Sequence, residues 1–476
     1  MYINGEWVQP TEANSFWSLN PATGDPISMV VDGGAEDARN AISSATLAFE
    51  SWSQTTAYQR AEILRAAQQK VMERAADIAQ LMSKEQGKPL RAALNEVRYA
   101  ADFLGWYAEE AKRNYGSTIP SARPDQRFVT VKSPVGVVAA ITPWNYPVSM
   151  ITRKIAPALA AGCTVVLKPA EATPLCAIAM FEAMAEAGVP AGVINLVTAE
   201  DPRPIGEVFV SDPRVNKITF TGSTAVGRYL AAAAGQAMKR ISMELGGHAP
   251  FIVFPDADPV HAAKGAGLVK FLNTGQACIS PNRMFVHESI CEPFLQTLSE
   301  RTAKMKAGSG LEDGVSIGPL VSEAAVNKVA SQVDEALSLG ATAVCGGSRL
   351  DQGALSNGHF YAPTVLRGVT PVMRIYREET FGPVAPVIAF NDEDDIYAMA
   401  NDTHYGLAAY VYTQSLSRAY EAMEKLRFGI IGINDINPTS AAAPFGGMND
   451  SGLGREGGIE GMEEYLETKT VGLSVS

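Results

Sequence analysis

TVVLKPAEATPLCAIAMFEAMAEAGVPAGVINLVT, residues 164–198, decides the fold class. Its two ends, TVVL and GVINLV, are short apolar runs without polar alternation, so strands there are buried on both faces. The stretch between them, PLCAIAMFEAMAEAG, reads as a helix, and strands that alternate with helices build a parallel sheet. The same texture runs from 135 to 258, where VGVVAAIT, NKITFTG and APFIVF are strand-like and MITRKIAPALAAG and AVGRYLAAAAG helical. An α/β chain with a wound parallel sheet follows, and such sheets bind ligands at the carboxyl ends of their strands.

Outward from this core the texture changes. Residues 36–113 have apolar positions at helical spacing, as in AEILRAAQQKVMERAADIAQLM, and QGKP (86–89) ends one helix before the next. GSTIPSARPDQ (116–126) is irregular and RFVTVKS (127–133) alternates like a half-exposed strand. A second alternating region spans about 259–445, and the tail EEYLETKTVGLSVS alternates again. An exposed strand at a terminus needs a partner, from its own chain or from another subunit.

The 476 residues are too many for one core and suggest two or three domains. A net charge of -12 argues against nucleic acid as a partner. The start, MYINGEWVQP, has neither a basic nor an apolar leader, and apolar runs such as VGVVAAI are too short to span a bilayer. A soluble cytoplasmic protein is the expectation, with no membrane partner. Five cysteines at 163, 176, 278, 291 and 345 form no CxxC or CxC pair, so no disulfide framework is expected. The histidines show no HExxH or HxxxH spacing, and no metal is expected.

Five stretches carry candidate chemistry, each with an ordinary alternative. FTGSTAVG (220–227) follows a strand and opens a helix, a place where glycines let backbone approach a phosphate. Gly222 and Gly227 fit only part of the GxGxxG spacing, since Thr224 replaces the middle glycine; the alternative is a tight turn. LKPAEATP (167–174) sets Lys168 and Glu171 at the carboxyl edge of the sheet, as a solvated pair or as holders of a nucleotide ribose. A carboxylate on the ribose accepts from both hydroxyls and repels a 2′-phosphate, which favours NAD over NADP. In MELGGHAP (243–250), Glu244 enters an apolar edge, where desolvation raises its pKa toward that of a general base; the alternative is an ion-paired glutamate. In TPWNYP (142–147), Asn145 either donates to a developing oxyanion or caps the next helix. Cys278, in the polar loop NTGQACISPNR (273–283), is either an inert small residue or a nucleophile.

Taken together, these residues suit oxidation of an aldehyde through a thioester. PWNYP, KPAE, FTGST, MELGGHAP, NTGQACIS, EETFGP, NDTHYGLAA and PFGGMNDSGLGREGG, in this order over essentially the whole chain, resemble the successive motifs of the NAD(P)-dependent aldehyde dehydrogenase superfamily. The resemblance implies that Cys278 is the nucleophile that forms a thiohemiacetal. Asn145 and the Cys278 N–H make the oxyanion hole, and hydride transfer to the nicotinamide leaves a thioester. Glu244 activates the hydrolytic water, with activation of the thiol as a further role; its presence speaks against a CoA-acylating enzyme and against a non-catalytic structural relative. Lys168 is implied in both catalysis and cofactor binding. Ile141, Thr142, Pro143, Trp144, Glu171, Gly222, Ser223, Val226, Leu245, Glu379 and Phe381 line the implied cofactor cleft.

The implied fold has a Rossmann-like NAD domain (1–115 and 135–246), an α/β catalytic domain (247–446) and a small β oligomerisation element (116–134 and 460–476). The strands of that element are expected to pair across a subunit interface in a homodimer or homotetramer. WNYPVSMITRKIAPALAAGCTVVLKPAE is most similar to the succinate-semialdehyde dehydrogenase group. That group clamps the distal carboxylate with arginines and a hydroxyl through charge-assisted bonds. Arg153 falls on one arginine position and Thr439 near the hydroxyl position, with Tyr146 beside them in the implied substrate site. The second arginine position is Leu272, a departure worth ~1.5–3 kcal/mol of carboxylate binding. The alternatives are an uncharged or hydroxylated small aldehyde, or α-ketoglutaric semialdehyde, whose branch CISP also resembles. An internal salt bridge is the competing role for Arg153. Ser280 stands where some members carry the second cysteine of Cys-x-Cys, so no redox lock is expected.

Overall fold

The computed structural model describes residues 1–475. The helical spacing over 36–113 resolves into α1 (Ala35–Trp52), α2 (Ala57–Glu73), α3 (Ala75–Glu85) and α4 (Leu90–Glu110). Thr56 caps α2 by accepting from the Gln59 N–H, while the Gln59 side chain accepts from the Thr56 N–H. The break at QGKP is steric as well as conformational. Gly87 has φ +93°, and a Cβ there would come within 2.5 Å of Pro319.

After β1 (Gln126–Pro134) the chain builds its first large sheet. The order along the chain is β2 (Val137–Ile141), α5 (Ser149–Ala161), β3 (Thr164–Lys168), α6 (Pro174–Glu186), β4 (Ile194–Leu196), α7 (Arg203–Ser211), β5 (Val215–Thr221), α8 (Thr224–Gln236) and β6 (Arg240–Glu244). In space the parallel strands run β4-β3-β2-β5-β6. Every residue of β3 is buried, as its unbroken apolar run requires. One face packs on α2 to α6 and the other on α1, α7 and α8. The chain winds outward from β2 to β4 and then returns to the other side of β2 as β5. A crevice at that reversal is the usual ligand site of such sheets.

The second sheet comprises β7 (Ala249–Val253), α9 (Pro259–Phe271), β8 (Pro281–His287), α10 (Glu288–Thr302), α11 (Glu323–Ser338), β9 (Thr342–Cys345), β10 (Thr364–Arg367), β11 (Val384–Phe390), β12 (Ala408–Tyr412) and β13 (Ile430–Ile433). Its order is β9-β10-β11-β8-β7-β12-β13, parallel except for β9 against β10. β6 ends at Glu244 and β7 begins at Ala249, so the amino ends of the second sheet meet the carboxyl ends of the first. Ile141, Lys168, Thr221 and Glu244 lie at that shared edge, with Ile141 opposite Lys168 and Thr221 opposite Glu244.

The last strand, β14 (Leu466–Ser474), pairs antiparallel with β1 along its whole length, and Thr118–Ile119 adds to the far side of β1. Within the chain the two strands thus pair with each other, and β14 forms one edge of this small sheet. The strands Tyr2–Ile3 and Glu6–Trp7, which extend the first sheet beyond β4, and the hairpin Ser15–Leu19 with Pro26–Val31 carry no signal read in the sequence. Among the described residues no helix is long and apolar enough to cross a membrane.

Candidate active site

Cys278 stands between α9 and β8, in a loop held under strain. Asn273 and Thr274 have φ 49° and 59°, left-handed values that are unfavourable for a β-branched threonine. Hydrogen bonds overdetermine this shape. Thr274 donates to the Gly318 carbonyl (3.1 Å), Gln276 donates to the Pro319 carbonyl (3.2 Å), and the Val321 N–H donates back to Gln276 (2.9 Å). The loop closes onto glycine. A Cβ on Gly247 would lie 2.3 Å from the Cys278 carbonyl oxygen, which is why backbone alone passes there.

Asn145 follows β2 and is buried. Its Nδ2 donates to the Gln276 carbonyl (3.0 Å) and its Oδ1 accepts from the Tyr146 N–H (3.1 Å). One Nδ2 hydrogen is thereby committed, and the amide has a second to offer. The capping role open to Asn145 belongs instead to Glu96, whose carboxylate accepts from the Val148 and Ser149 N–H groups at 3.0 and 3.2 Å. Glu96 forms a short ion pair with Lys88, both side chains almost wholly buried. Lys88 Nζ also donates to the Asn145 carbonyl (2.8 Å) and sits 4.1 Å from the centre of the Tyr146 ring. Asn273 Nδ2 donates to the same carbonyl (2.9 Å). Lys88 and Glu96 thus set Asn145, and neither is marked in the sequence beyond the helix break that holds Lys88.

Glu244 ends β6 with one carboxylate oxygen buried and unpartnered. Burial holds its pKa well above the usual carboxylate range and the Glu456 charge adds to this, against Arg153, Lys154 and Arg455. Burial also works against the Glu456 charge, yet Lys154 and Arg153 beside it hold its pKa below the ordinary value. Burial pushes the Cys278 thiol up to about 12; Arg153 opposes the shift, while Glu244 and Glu379 add to it. A thiol of this kind is neutral at pH 7 and needs a base to become a nucleophile.

Arg153 makes the internal ion pair that was its competing role. Its Nε lies 2.8 Å from Glu456, an ion pair at a poor hydrogen-bond angle, and its Cζ is 3.9 Å from the centre of the Phe445 ring. Its Nη2 is buried without a partner. Thr439 is half-buried and donates to Asn437 (3.3 Å), whereas Leu272 is 42% exposed at the end of α9. Tyr146 is half-buried, with Cys278 among the groups whose charge acts on it.

The candidate cofactor residues gather at the carboxyl edge of the first sheet. Lys168 Nζ bonds Glu171 at 3.1 Å, with Lys168 buried and Glu171 half exposed. Ser223 caps α8 by accepting from the Val226 N–H (3.4 Å), and Val226 itself is exposed. A Cβ on Gly227 would lie 2.3 Å from the Leu245 side chain, so glycine is needed for α8 to approach Leu245. Gly222 abuts the Phe220 ring in the same way. Ile141 and Pro143 are half-buried, and the buried Thr142 hydroxyl has no partner. Trp144 and Phe381 meet edge to face with ring centres 5.6 Å apart. Glu379 is held by the Gly247 N–H (2.9 Å). The N-terminus of α8 at the sheet edge and the unpartnered Thr142 hydroxyl fit a dinucleotide. Lys168, implied in catalysis as well, has Glu171 and Asp201 as its charged neighbours.

The model of the aldehyde dehydrogenase family matches residues 7–471. The chain belongs to the aldehyde dehydrogenase family. This NAD(P)-dependent aldehyde dehydrogenase is 48% identical over 467 residues to a succinate-semialdehyde dehydrogenase [NADP(+)] of Escherichia coli (strain K12), covering 98% of this chain and 96% of the relative. It is 46% identical to a glutarate-semialdehyde dehydrogenase of Pseudomonas putida, covering all of this chain and 97% of that one. The crystal structure of succinate-semialdehyde dehydrogenase from Burkholderia pseudomallei superposes with a TM-score of 0.97 at 46% identity, covering all of this chain and 97% of that one. The aldehyde dehydrogenase fold and aldehyde oxidation to the acid follow for this enzyme.

Proposed function

We propose that this aldehyde dehydrogenase oxidises a small semialdehyde, with succinate semialdehyde as the type, using NAD. The observation that carries the reading is Arg153: a buried guanidinium with an unpartnered Nη2, close enough for its charge to act on the Cys278 thiol. An anionic tail supplies the acceptor that this nitrogen lacks. Relatives named for succinate and glutarate semialdehydes support the class.

In the proposed reaction Cys278 Sγ attacks the carbonyl carbon, and the thiol proton passes to Glu244. Asn145 Nδ2 and the Cys278 N–H stabilise the oxyanion. When bound, the nicotinamide dinucleotide supplies the hydride acceptor. Loss of hydride to that acceptor leaves a thioester on Cys278; Glu244, once it has passed the thiol proton to solvent, takes a proton from the attacking water, and the C–S bond breaks to release the acid and restore the Cys278 thiol. Trp144, Phe381 and Glu379 position the nicotinamide end, and Lys168 with Glu171 the adenosine ribose. Glu171 supports NAD over NADP; Glu171→Ser is expected to raise the relative kcat/KM for NADP. The outer edge of β14, with Leu473 exposed, supports a homodimer or homotetramer, and a cytoplasmic, reducing setting suits a free catalytic thiol.

The test is the initial rate of NADH formation without CoA, with succinate and glutarate semialdehydes set against butanal and pentanal and with Cys278→Ala as control. A preference for the charged members of about tenfold or more is expected from one charge-assisted bond. Equal rates with the uncharged aldehydes overturn the assignment and favour the second reading, an uncharged substrate, for which Leu272 in place of an arginine is the supporting observation.

A further inference from the structure

We propose that Lys270 and Asn282 form a clasp beneath the nucleophile loop that sets Glu379, so that Lys270 is a positioning residue for hydride transfer. This rests on the reading above that Glu379 positions the nicotinamide end of the cofactor. Lys270 and Asn282 bracket the Cys278 loop, one in the last turn of α9 and the other at the start of β8, and both are buried. Lys270 Nζ donates to Asn282 Oδ1 (3.1 Å), and the Ser280 hydroxyl donates to the Lys270 carbonyl (3.3 Å). The β7–β8 register slips at this point: Ala249 lies opposite Pro281 and Pro250 opposite Arg283, which leaves Asn282 unpaired on β7 and its side chain re-aimed. Asn282 Nδ2 donates to the Gly247 carbonyl (3.5 Å), and the Gly247 N–H donates to Glu379 (2.9 Å). One chain of hydrogen bonds therefore runs from Lys270 to the carboxylate at the nicotinamide end.

The residue types suit that chain. Its middle link must accept from an amine and donate to a carbonyl, and a side-chain amide does both. Gly247 is the point where the holders of the two reacting groups touch. Its N–H holds Glu379, and a Cβ on it would strike the Cys278 carbonyl oxygen at 2.3 Å. Burial pushes the Lys270 pKa down to about 7, and the Glu379 charge opposes the shift. Burial raises the Glu379 pKa, and the Gly247 N–H and the Lys328 and Lys270 charges oppose it. The Cys278 turn itself does not hang on the clasp, since Thr274, Gln276 and the Val321 N–H fix it from the other side. Loss of Lys270 therefore loosens Glu379 and leaves the nucleophile in place.

Lys270→Met removes the donor and strands no charge. Two rates are measured in the wild type, Lys270→Met and Glu379→Gln. One is the single-turnover rate of NADH formation with succinate semialdehyde and with butanal. The other is hydrolysis of p-nitrophenyl acetate without NAD, which uses Cys278 and Glu244 but no hydride acceptor. In Lys270→Met, NADH formation is expected to fall about tenfold with both aldehydes, a partial misplacement of the cofactor, while ester hydrolysis stays within about twofold of wild type. Asn282→Leu cuts the same chain at its next link and is expected to show the same split, with no further loss in the double variant. Ester hydrolysis that falls in step with NADH formation marks Lys270 as merely structural and overturns the proposal. Unchanged NADH formation in Lys270→Met, with a loss in Glu379→Gln, overturns the clasp and leaves the reading of Glu379 standing. Unchanged NADH formation in Glu379→Gln overturns both.

Discussion

Replacing Lys88 by methionine separates the two tasks that the buried Lys88–Glu96 pair performs. Both side chains are 1–2% exposed, so the substitution strands a carboxylate in the interior. Breaking a buried pair from one side costs about 3–5 kcal/mol. The lower end applies here, since Glu96 keeps the Val148 and Ser149 N–H donors. Entropy of unfolding scales with chain length, and for a chain of this size about 3 kcal/mol lowers the melting temperature by about 3 °C. The second task is catalytic positioning. The Asn145 carbonyl loses Lys88 and keeps only Asn273, which loosens the donor that faces the oxyanion. A misplacement on the order of 1 Å costs about a hundredfold, and a partial loss of restraint is expected to lower kcat about tenfold. Adding Glu96→Gln removes the stranded charge but not the slack at Asn145. The double variant is therefore expected to recover at least half of the lost melting temperature and none of the lost kcat. Thermal unfolding and steady-state kinetics on the wild type, the single and the double variant decide it. A Lys88→Met enzyme with kcat within twofold of wild type, or a double variant no more stable than the single, refutes the reasoning.

Three further outcomes follow from individual side chains. Because the Glu244 pKa is raised, its basic form grows only as pH rises, so kcat is expected to climb into the alkaline range; Glu244→Gln is expected to lower it about a hundredfold or more and to flatten the pH profile. Burial pushes Glu85 from 4.5 up to about 7, so the folded protein holds an extra proton between those values. The stability this contributes is complete below about 4.5 and is lost as pH rises through about 7, on the order of 3 kcal/mol. The melting temperature of wild type relative to Glu85→Gln is expected to fall over that window. Leu272→Arg, at an exposed position with room for the longer side chain, is expected to lower KM for succinate semialdehyde about tenfold with little change for butanal.

The sheet core was legible because burial on both faces writes itself into unbroken apolar runs, as in TVVLK and APFIV. Cys278, Glu244 and Asn145 were legible as candidates only, each with an ordinary alternative, and their proposed roles came from the resemblance carried by the ordered motifs. Legibility ended where a role depends on a partner far along the chain. Glu96 reads as one more charge on a helix until α4 is laid against the start of α5. The pairing of Arg153 with Glu456 spans 303 positions, and no local pattern announces it. The alternation of β1 and β14 was visible, but which strand each would meet was not, and the partner proved to be the same chain.

The covalent step at Cys278 is the centre of the account, and one measurement tests it most directly. Wild-type enzyme is mixed with NAD and succinate semialdehyde without CoA, quenched in acid within the first turnover and digested, and the peptide holding residues 273–283 is weighed. An acyl group on Cys278, formed together with an equivalent of NADH and lost as hydrolysis completes the turnover, is the result predicted. NADH formation with no adduct on that cysteine, or full turnover in Cys278→Ala, contradicts it.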